Sequence, residues 1–322
     1  MDSGTGAGTA ARQGMRIGIN ASGLVVLGST IDDYVAHATT AEADGFASWW
    51  MGQLASPDAL TTLGVVGRAT STIELGTAVV PTWSRHPLML AAQALTTQEM
   101  AGGRLALGIG LAHKPSVEST LGIPFVRPAA HMSEYLSVLL PTMAERKVAF
   151  EGEIWSGVTE GIGGAPGVEA PSVLLAAMGP RMLELAATRT DGAVLWLSGP
   201  RTIDEHLRPT LVAAAERAGR PAPRIVASVP VSVTDQPERV RDLIAALLAG
   251  YNDLPSYRGV MDREGVDGPA GVSIVGDEAT VRAGIQRFAD AGTTDFAPVE
   301  LVTNDDETQR TRALLKELCQ AG

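Results

Sequence analysis

Cysteine is nearly absent from this 322-residue chain. The one thiol, Cys319, has no second cysteine to pair with, so no intramolecular disulfide staples the fold, as befits a reducing compartment. Lysine is scarce as well, since only Lys114, Lys147 and Lys316 are lysine among 25 basic residues, and the formal net charge is −11. So acidic a chain, without a dense basic cluster, repels phosphate backbones and anionic lipid, which excludes nucleic acid and membrane surfaces as partners. No stretch reaches the roughly 18 uninterrupted apolar residues that span a bilayer. Met1–Gly14 is small and polar where a signal peptide needs an apolar centre. The expectation is a cytoplasmic protein with Met1–Gly14 as a flexible leader. Hydrophobic residues make up 45% and charged residues 19%, a balance that excludes a disordered chain.

Catalytic absences are equally informative. His37, His86, His113, His131 and His206 never pair at i, i+4 beside a carboxylate, and thiolates are lacking, so the residues predict no metal site. There is no Gly-x-Ser-x-Gly for a serine nucleophile. Glycoside hydrolysis needs two carboxylates at strand ends, yet the strand candidates end in Asn20, Gly52-Gln53, Val79-Val80, Gly110 and Met178-Gly179.

Those candidates are Arg16–Asn20, Ser48–Met51, Ile73–Val80, Arg104–Gly110, Ser172–Met178, Gly192–Leu197, Arg224–Val233 and Thr294–Val302. Their apolar runs are continuous, as in strands buried on both faces. Amphipathic helices lie between them. Ile31, Tyr34, Val35 and Ala38 form one stripe, and Val240, Leu243, Ile244, Leu247, Leu248 and Tyr251 another, opened by Asp235 as a capping acid with Pro237 after it. Eight strands alternating with helices predict an α/β fold, a (β/α)8 TIM barrel from Met15 to Gly322. The rival, a doubly wound sheet, lacks its Gly-x-Gly-x-x-Gly, because Asn20-Ala21-Ser22-Gly23 follows the first strand. Two excursions are long. Leu111–Ala130 follows a strand, where barrel loops build sites; Glu151–Pro171 precedes one and is expected on the opposite rim.

A glycine-rich, apolar rim suits a large flat cofactor gripped by main-chain groups and acting on a small molecule. The turn Met178-Gly179-Pro180-Arg181-Met182 offers a helix amino end, where free N–H groups and Arg181 would receive a phosphate; a plain strand-to-helix joint with a surface arginine is the alternative. Likewise the glycines of Arg104–Gly110 serve either ligand approach or close packing.

Gly45-Phe46-Ala47-Ser48, Leu75-Gly76-Thr77-Ala78-Val79-Val80-Pro81, Arg85-His86-Pro87, Gly102–Gly110, Phe150-Glu151-Gly152-Glu153, Gly179-Pro180-Arg181-Met182 and Thr190-Asp191-Gly192 together resemble the bacterial luciferase-like flavin and deazaflavin oxidoreductases. Leu75–Pro87 and Leu254-Pro255-Ser256-Tyr257-Arg258 resemble the branch that uses coenzyme F420, an 8-hydroxy-5-deazaflavin. The resemblance implies a TIM barrel, a non-proline cis peptide at Ala78-Val79 behind the ring, and a cofactor phosphate on Met178, Gly179, Arg181 and Met182. It further implies a homodimer. Cofactor contacts are expected from Gln53, Ala78, Val79 and Gly110.

One departure stands out: relatives that end the second strand with Asp-His have a titrating group where this chain has Gln53-Leu54. Gln53 hydrogen-bonds but does not titrate. The remaining proton donors are His113 and His86, each otherwise a plain loop histidine. Trp50, Trp83 and Trp196, near strand ends, are candidate walls of the substrate pocket, whereas Trp49 and Trp155 are expected in packing. His131, with Arg127 and Glu134, is expected to tie the long loop to its helix. The function expected is hydride transfer between F420 and a small organic substrate, reducing a C=C or C=N bond. An FMN-dependent luciferase-like monooxygenase and a non-catalytic deazaflavin or flavin carrier are the alternatives.

Overall fold

The computed structural model describes residues 14–54 and 56–321. The leader expected at Met1–Gly14 therefore lies, but for its last residue, outside the described residues.

The eight expected strands close a parallel barrel. β1 is Arg16–Ile17 and Ile19–Asn20, β2 Ser48–Met51, β3 Glu74–Thr77, β4 Leu105–Gly110, β5 Ser172–Ala176, β6 Gly192–Trp196, β7 Arg224–Ser228 and β8 Asp295–Phe296. Every pairing is parallel and runs around the ring, with the first half of β1 on β8 and the second half on β2. Between the two halves the β1 backbone passes Ser48 so closely at Gly18 that a Cβ there would sit 2.2 Å from Ser48 Oγ.

Alternation in the strands sorts the core into two shells. Trp49, Met51, Leu75, Leu107, Ile109, Leu175, Leu195 and Phe296 pack outward under the helices. Inside, Trp50 lies among Ala106, Leu174, Val194, Val226 and Ala297. One large ring among small side chains fills the barrel. The fit is tight, because a Cβ on Gly76 would come within 2.1 Å of the Trp50 ring. The lower end is closed by charge: Arg224 reaches Asp295 at 2.7 Å and Glu74 at 2.8 Å, and Arg16 reaches both at 3.1 Å. All four begin strands, so this cluster marks the rim opposite the site.

Helix starts follow sequence chemistry in part. Thr30 and Asp33 form the capping box of helix Ile31–Asp44. Asp235, expected to cap the helix Pro237–Leu247, instead pairs with Arg310 at 3.1 Å, and Gln236 occupies the cap position without a side-chain bond to a helix amide. Three further expectations are corrected. Arg224–Val233 and Thr294–Val302 are not single strands: each breaks after its barrel segment, and Pro230–Val233 and Val299–Glu300 join Ile274–Gly276 in a separate parallel sheet. Glu151–Pro171 does not stay at the lower rim. It begins inside an antiparallel hairpin, Val148–Glu151 with Ser156–Thr159, that climbs the helix Pro128–Glu145 and brings its tip to the upper rim, where Ile154 and Trp155 donate backbone N–H bonds to Glu134.

Since the Trp50 ring is rigid and fully buried among the side chains of the barrel interior, Gly76→Ala should destabilise the barrel by about 3 kcal/mol, the upper range for overpacking. The urea-unfolding midpoint of the variant against the parent measures this.

Candidate active site

At the carboxyl ends of β1 to β4, backbone groups interlock. Asn20 Nδ2 donates to Ser228 Oγ at 3.1 Å, and Asn20 Oδ1 accepts from the Ser22 amide and hydroxyl. Ser22 Oγ in turn accepts from the Gly52 amide at 2.8 Å. β3 leaves its ladder after Thr77, and the Ala78-Val79 peptide is cis. The Ala78 amide donates to Met51 O at 2.8 Å, and β3 then resumes pairing with β4 at Val80 and Pro81. Gly110 makes room for this step: its own Cβ would meet Val79 Cγ2 at 2.7 Å and Ala176 Cβ at 3.0 Å. Gly110, an expected cofactor contact, is thus buried beneath Val79. Ala78 and Val79 are half-buried over the Trp50 cluster. Gln53 is half-buried, and its Oε1 accepts from the Ala59 amide at 2.7 Å. Its carboxamide is oriented by the next helix.

Across the rim, two helices begin side by side with opposite chemistry. After β6, the first turn at Pro200 is capped by a carboxylate, for Thr202 and Arg201 donate backbone N–H bonds to Glu264 at 2.8 and 3.3 Å. After β5, the helix Pro180–Arg189 has Gly179 as its N-cap, and among the described residues no side chain accepts from its first turn. Pro180 has no N–H, so Arg181 and Met182 carry the orphan donors. A Cβ on Gly179 would meet nothing within 4 Å. Arg181 is exposed and, among the described residues, forms no ion pair or hydrogen bond. A vacant helix amino end with glycine and a free guanidinium fits an exposed anion such as a cofactor phosphate.

Aromatic side chains wall the rest, although they make up only 4% of the chain. One group joins Trp196 at the end of β6 to Tyr251, Tyr257 and His113, with ring centroids 4.7 to 6.4 Å apart in edge-on contacts. Met178 packs on the same group. The other joins Trp83, Phe125, His131, Tyr135 and Trp155. None of Tyr251, Tyr257 and Phe125 is expected at the rim from the sequence: Tyr251 falls on a helical stripe and Tyr257 in the F420-like motif, and Phe125 carries no signal beyond being a rare aromatic in the long segment after β4.

The histidines separate clearly. His113 is half-buried against the two tyrosines, and burial lowers its pKa, leaving a neutral ring with one donor and one acceptor at pH 7. His86, an expected proton donor, is committed elsewhere: it caps the helix Pro87–Met100, its Nδ1 accepting from the Leu88 amide at 3.2 Å while Nε2 lies 3.1 Å from Ser156 O. His131 is fully buried. Trp155 Nε1 only donates, so His131 Nδ1 accepts at 3.1 Å, and Nε2–H donates to Thr82 Oγ1 at 2.9 Å. Burial lowers the His131 pKa to about 4, and Glu134 opposes this only in part. His131 ties the hairpin and β3 together rather than the preceding loop. Trp50, an expected pocket wall, has no exposed surface and donates to Ser48 Oγ at 2.8 Å, so it forms the floor below the rim. Trp49 donates outward to His37.

Residues 11–295 match the pattern of the luciferase-like monooxygenase family. The chain belongs to that family. A 5,10-methylenetetrahydromethanopterin reductase of Methanolobus tindarius is 28% identical over 254 residues, which are 75% of this chain and 74% of that protein. Among solved structures, the coenzyme F420-dependent tetrahydromethanopterin reductase of Methanopyrus kandleri superposes with a TM-score of 0.77 at 21% identity, over 95% of this chain and 97% of that one. The oxygenating constituent of 3,6-diketocamphane monooxygenase from Pseudomonas putida, in complex with FMN, gives 0.74 at 18% identity, over 95% and 97%. This luciferase-like chain is thus an oxidoreductase whose relatives include F420-dependent enzymes.

The buried histidines set a pH dependence. His131 and His37 both have folded pKa values near 4, lowered by burial, whereas an unfolded histidine titrates near 6.5. Between those values the unfolded chain binds more protons, so stability is full above about pH 6.5 and lost as pH falls toward 4. His131 alone accounts for up to about 3 kcal/mol. Denaturation midpoints from pH 7 to 4 should fall steeply in the parent, and about half as steeply in His131→Asn.

Proposed function

We propose that the chain is an F420-dependent oxidoreductase that reduces a C=C or C=N bond of a small organic substrate. The observation that carries this reading is the vacant helix start at Gly179, with Arg181 unpaired, on the same rim as the Ala78-Val79 turn. Gly179, Arg181 and Met182 would hold the cofactor phosphate, and Ala78, Val79, Gln53 and Met178 would flank the ring. When bound, the deazaflavin supplies a hydride. The preference for F420 over FMN rests on the resemblance at Leu75–Pro87 and Leu254–Arg258 and on the related reductases.

The chain's own residues favour reduction of an activated acceptor. No histidine stands at Gln53, so no strong base is at hand for alcohol oxidation, whereas an activated double bond needs only modest proton delivery. His113 is the remaining donor. Because burial lowers its pKa, its protonated form is scarce at neutral pH, and turnover in the reductive direction should rise as pH falls below 6.5, a rise that His113→Asn should remove. Trp196 and Tyr251 would exclude water beside it.

The second reading, an FMN-dependent monooxygenase, is favoured by the fold shared with the diketocamphane enzyme. Reduced F420 mixed anaerobically with a cyclohexenone or a cyclic imine separates the two. Substrate-dependent return of the oxidised deazaflavin absorbance is expected; oxygen uptake with reduced FMN and no anaerobic turnover would overturn the proposal. Arg181→Ala should weaken F420 binding roughly ten- to hundredfold, less so at high salt. Gly179 has extended backbone and open space, so Gly179→Val should fold normally and bind F420 more weakly still. A cofactor fragment lacking the phosphate should bind the parent and both variants alike.

A further inference from the structure

The indole of Trp83 is 8% exposed, and its Nε1–H is buried without an acceptor. A desolvated donor left unpaired at the mouth of a barrel points to an acceptor that arrives from outside. The ring itself is held rigidly. On one side it stacks on His131, centroids 3.7 Å apart at 26°, and His131 is fixed by Trp155 and Thr82. Phe125 also lies against the Trp83 ring, at 5.1 Å and tilted by 40°.

Phe125 belongs to the segment after β4. Among the described residues, the hydrogen bonds of residues 113–126 stay within that segment: Val117 to His113, Leu121 to Ser116, Ile123 to Val117, and Phe125 to Glu118. Its ends, Ala112 and Arg127, are both non-glycine residues in the left-handed region, at φ 53° and 49°. The ring contacts it makes across the mouth are Phe125 on Trp83 and His113 on Tyr251 and Tyr257. A unit whose hydrogen bonds over 113–126 are internal, joined at two residues of unusual backbone and otherwise held by ring contacts, the buried Val117 and the exposed Arg127–Glu153 ion pair, is built to move as one piece.

We propose that Ala112–Arg127 is a lid, and that its opening uncovers the Trp83 indole N–H as the donor that grips the carbonyl oxygen or imine nitrogen of the substrate. Trp83 is then a specificity-determining residue, and the lid carries His113 to the same substrate on closing. This rests on the mouth being the substrate site, and not on which cofactor the chain uses.

Hydrogen exchange of the indole N–H groups in 15N-tryptophan protein, with the Trp83 signal assigned through Trp83→Phe, tests the lid without cofactor or substrate. The Trp83 N–H should exchange at least about tenfold faster than that of Trp50, which is buried under the barrel strands, and Phe125→Ala should speed it further. Adding cyclohexanone should shift the Trp83 signal, and Trp83→Phe should raise KM for cyclohexenone about tenfold while F420 affinity is kept. Exchange of Trp83 as slow as that of Trp50 overturns the lid. A Trp83 signal unmoved by cyclohexanone at high concentration overturns the donor. Either result is readable even if the protein turns out to use FMN.

Discussion

The mouth of this barrel depends on how closely β3 is allowed to approach β4. A Cβ on Gly108 would lie 2.0 Å from Thr77 O, and the Thr77 hydroxyl donates to Gly108 O at 2.7 Å. Between the pairs Gly76–Ala106 and Val80–Ile109, β3 carries one residue more than β4. The extra residue makes a bulge, and a bulge re-aims the chain. Ala78 and Val79 turn inward over the Trp50 cluster, while Pro81, Thr82 and Trp83 are delivered to the rim. Glycine at 108 and 110 is therefore a packing requirement first. The apolar shelf that a flat ring would rest on follows from it.

Two supports then hold the shelf from opposite sides. Below, Trp50 fills the barrel interior, so the rim has a solid floor. Outside, a buried chain of hydrogen bonds runs from Trp155 through His131 and Thr82 toward Gly110 O. That chain couples a hairpin on the barrel's flank to the end of β4. It stays intact only while His131 is neutral, which its burial ensures down to about pH 4. The polar demands of the far side are met differently, by Glu264 at one helix start and by no side chain of the described residues at its neighbour. The asymmetry leaves the helix start at Gly179 without a side-chain partner among the described residues.

Much of this was legible in the sequence, and the remainder was hidden for physical reasons. Continuous apolar runs located all eight strands, because a strand buried on both faces has few polar positions away from its ends. Gly179-Pro180-Arg181 could be read as a helix start, because glycine, proline and a missing cap are local properties. Long-range geometry was not legible. Nothing local shows that Pro230 leaves the barrel for a second sheet, or that the tip of the Val148–Thr159 hairpin reaches the upper rim. His86 and His113 look alike as loop histidines; only the fold gives the first to a helix cap and the second to an aromatic wall. Trp49 and Trp50 differ by one position, and strand alternation sends one outward and the other into the barrel.

On the proposed function, the vacant helix start at Gly179 and the shelf at Ala78-Val79 together seat a deazaflavin. Titrating the purified protein with F420 and, separately, with FMN, following tryptophan fluorescence, tests it most directly. Saturation at one F420 per chain is expected, with FMN weaker by about tenfold or more. Saturable FMN binding with no response to F420 would contradict it.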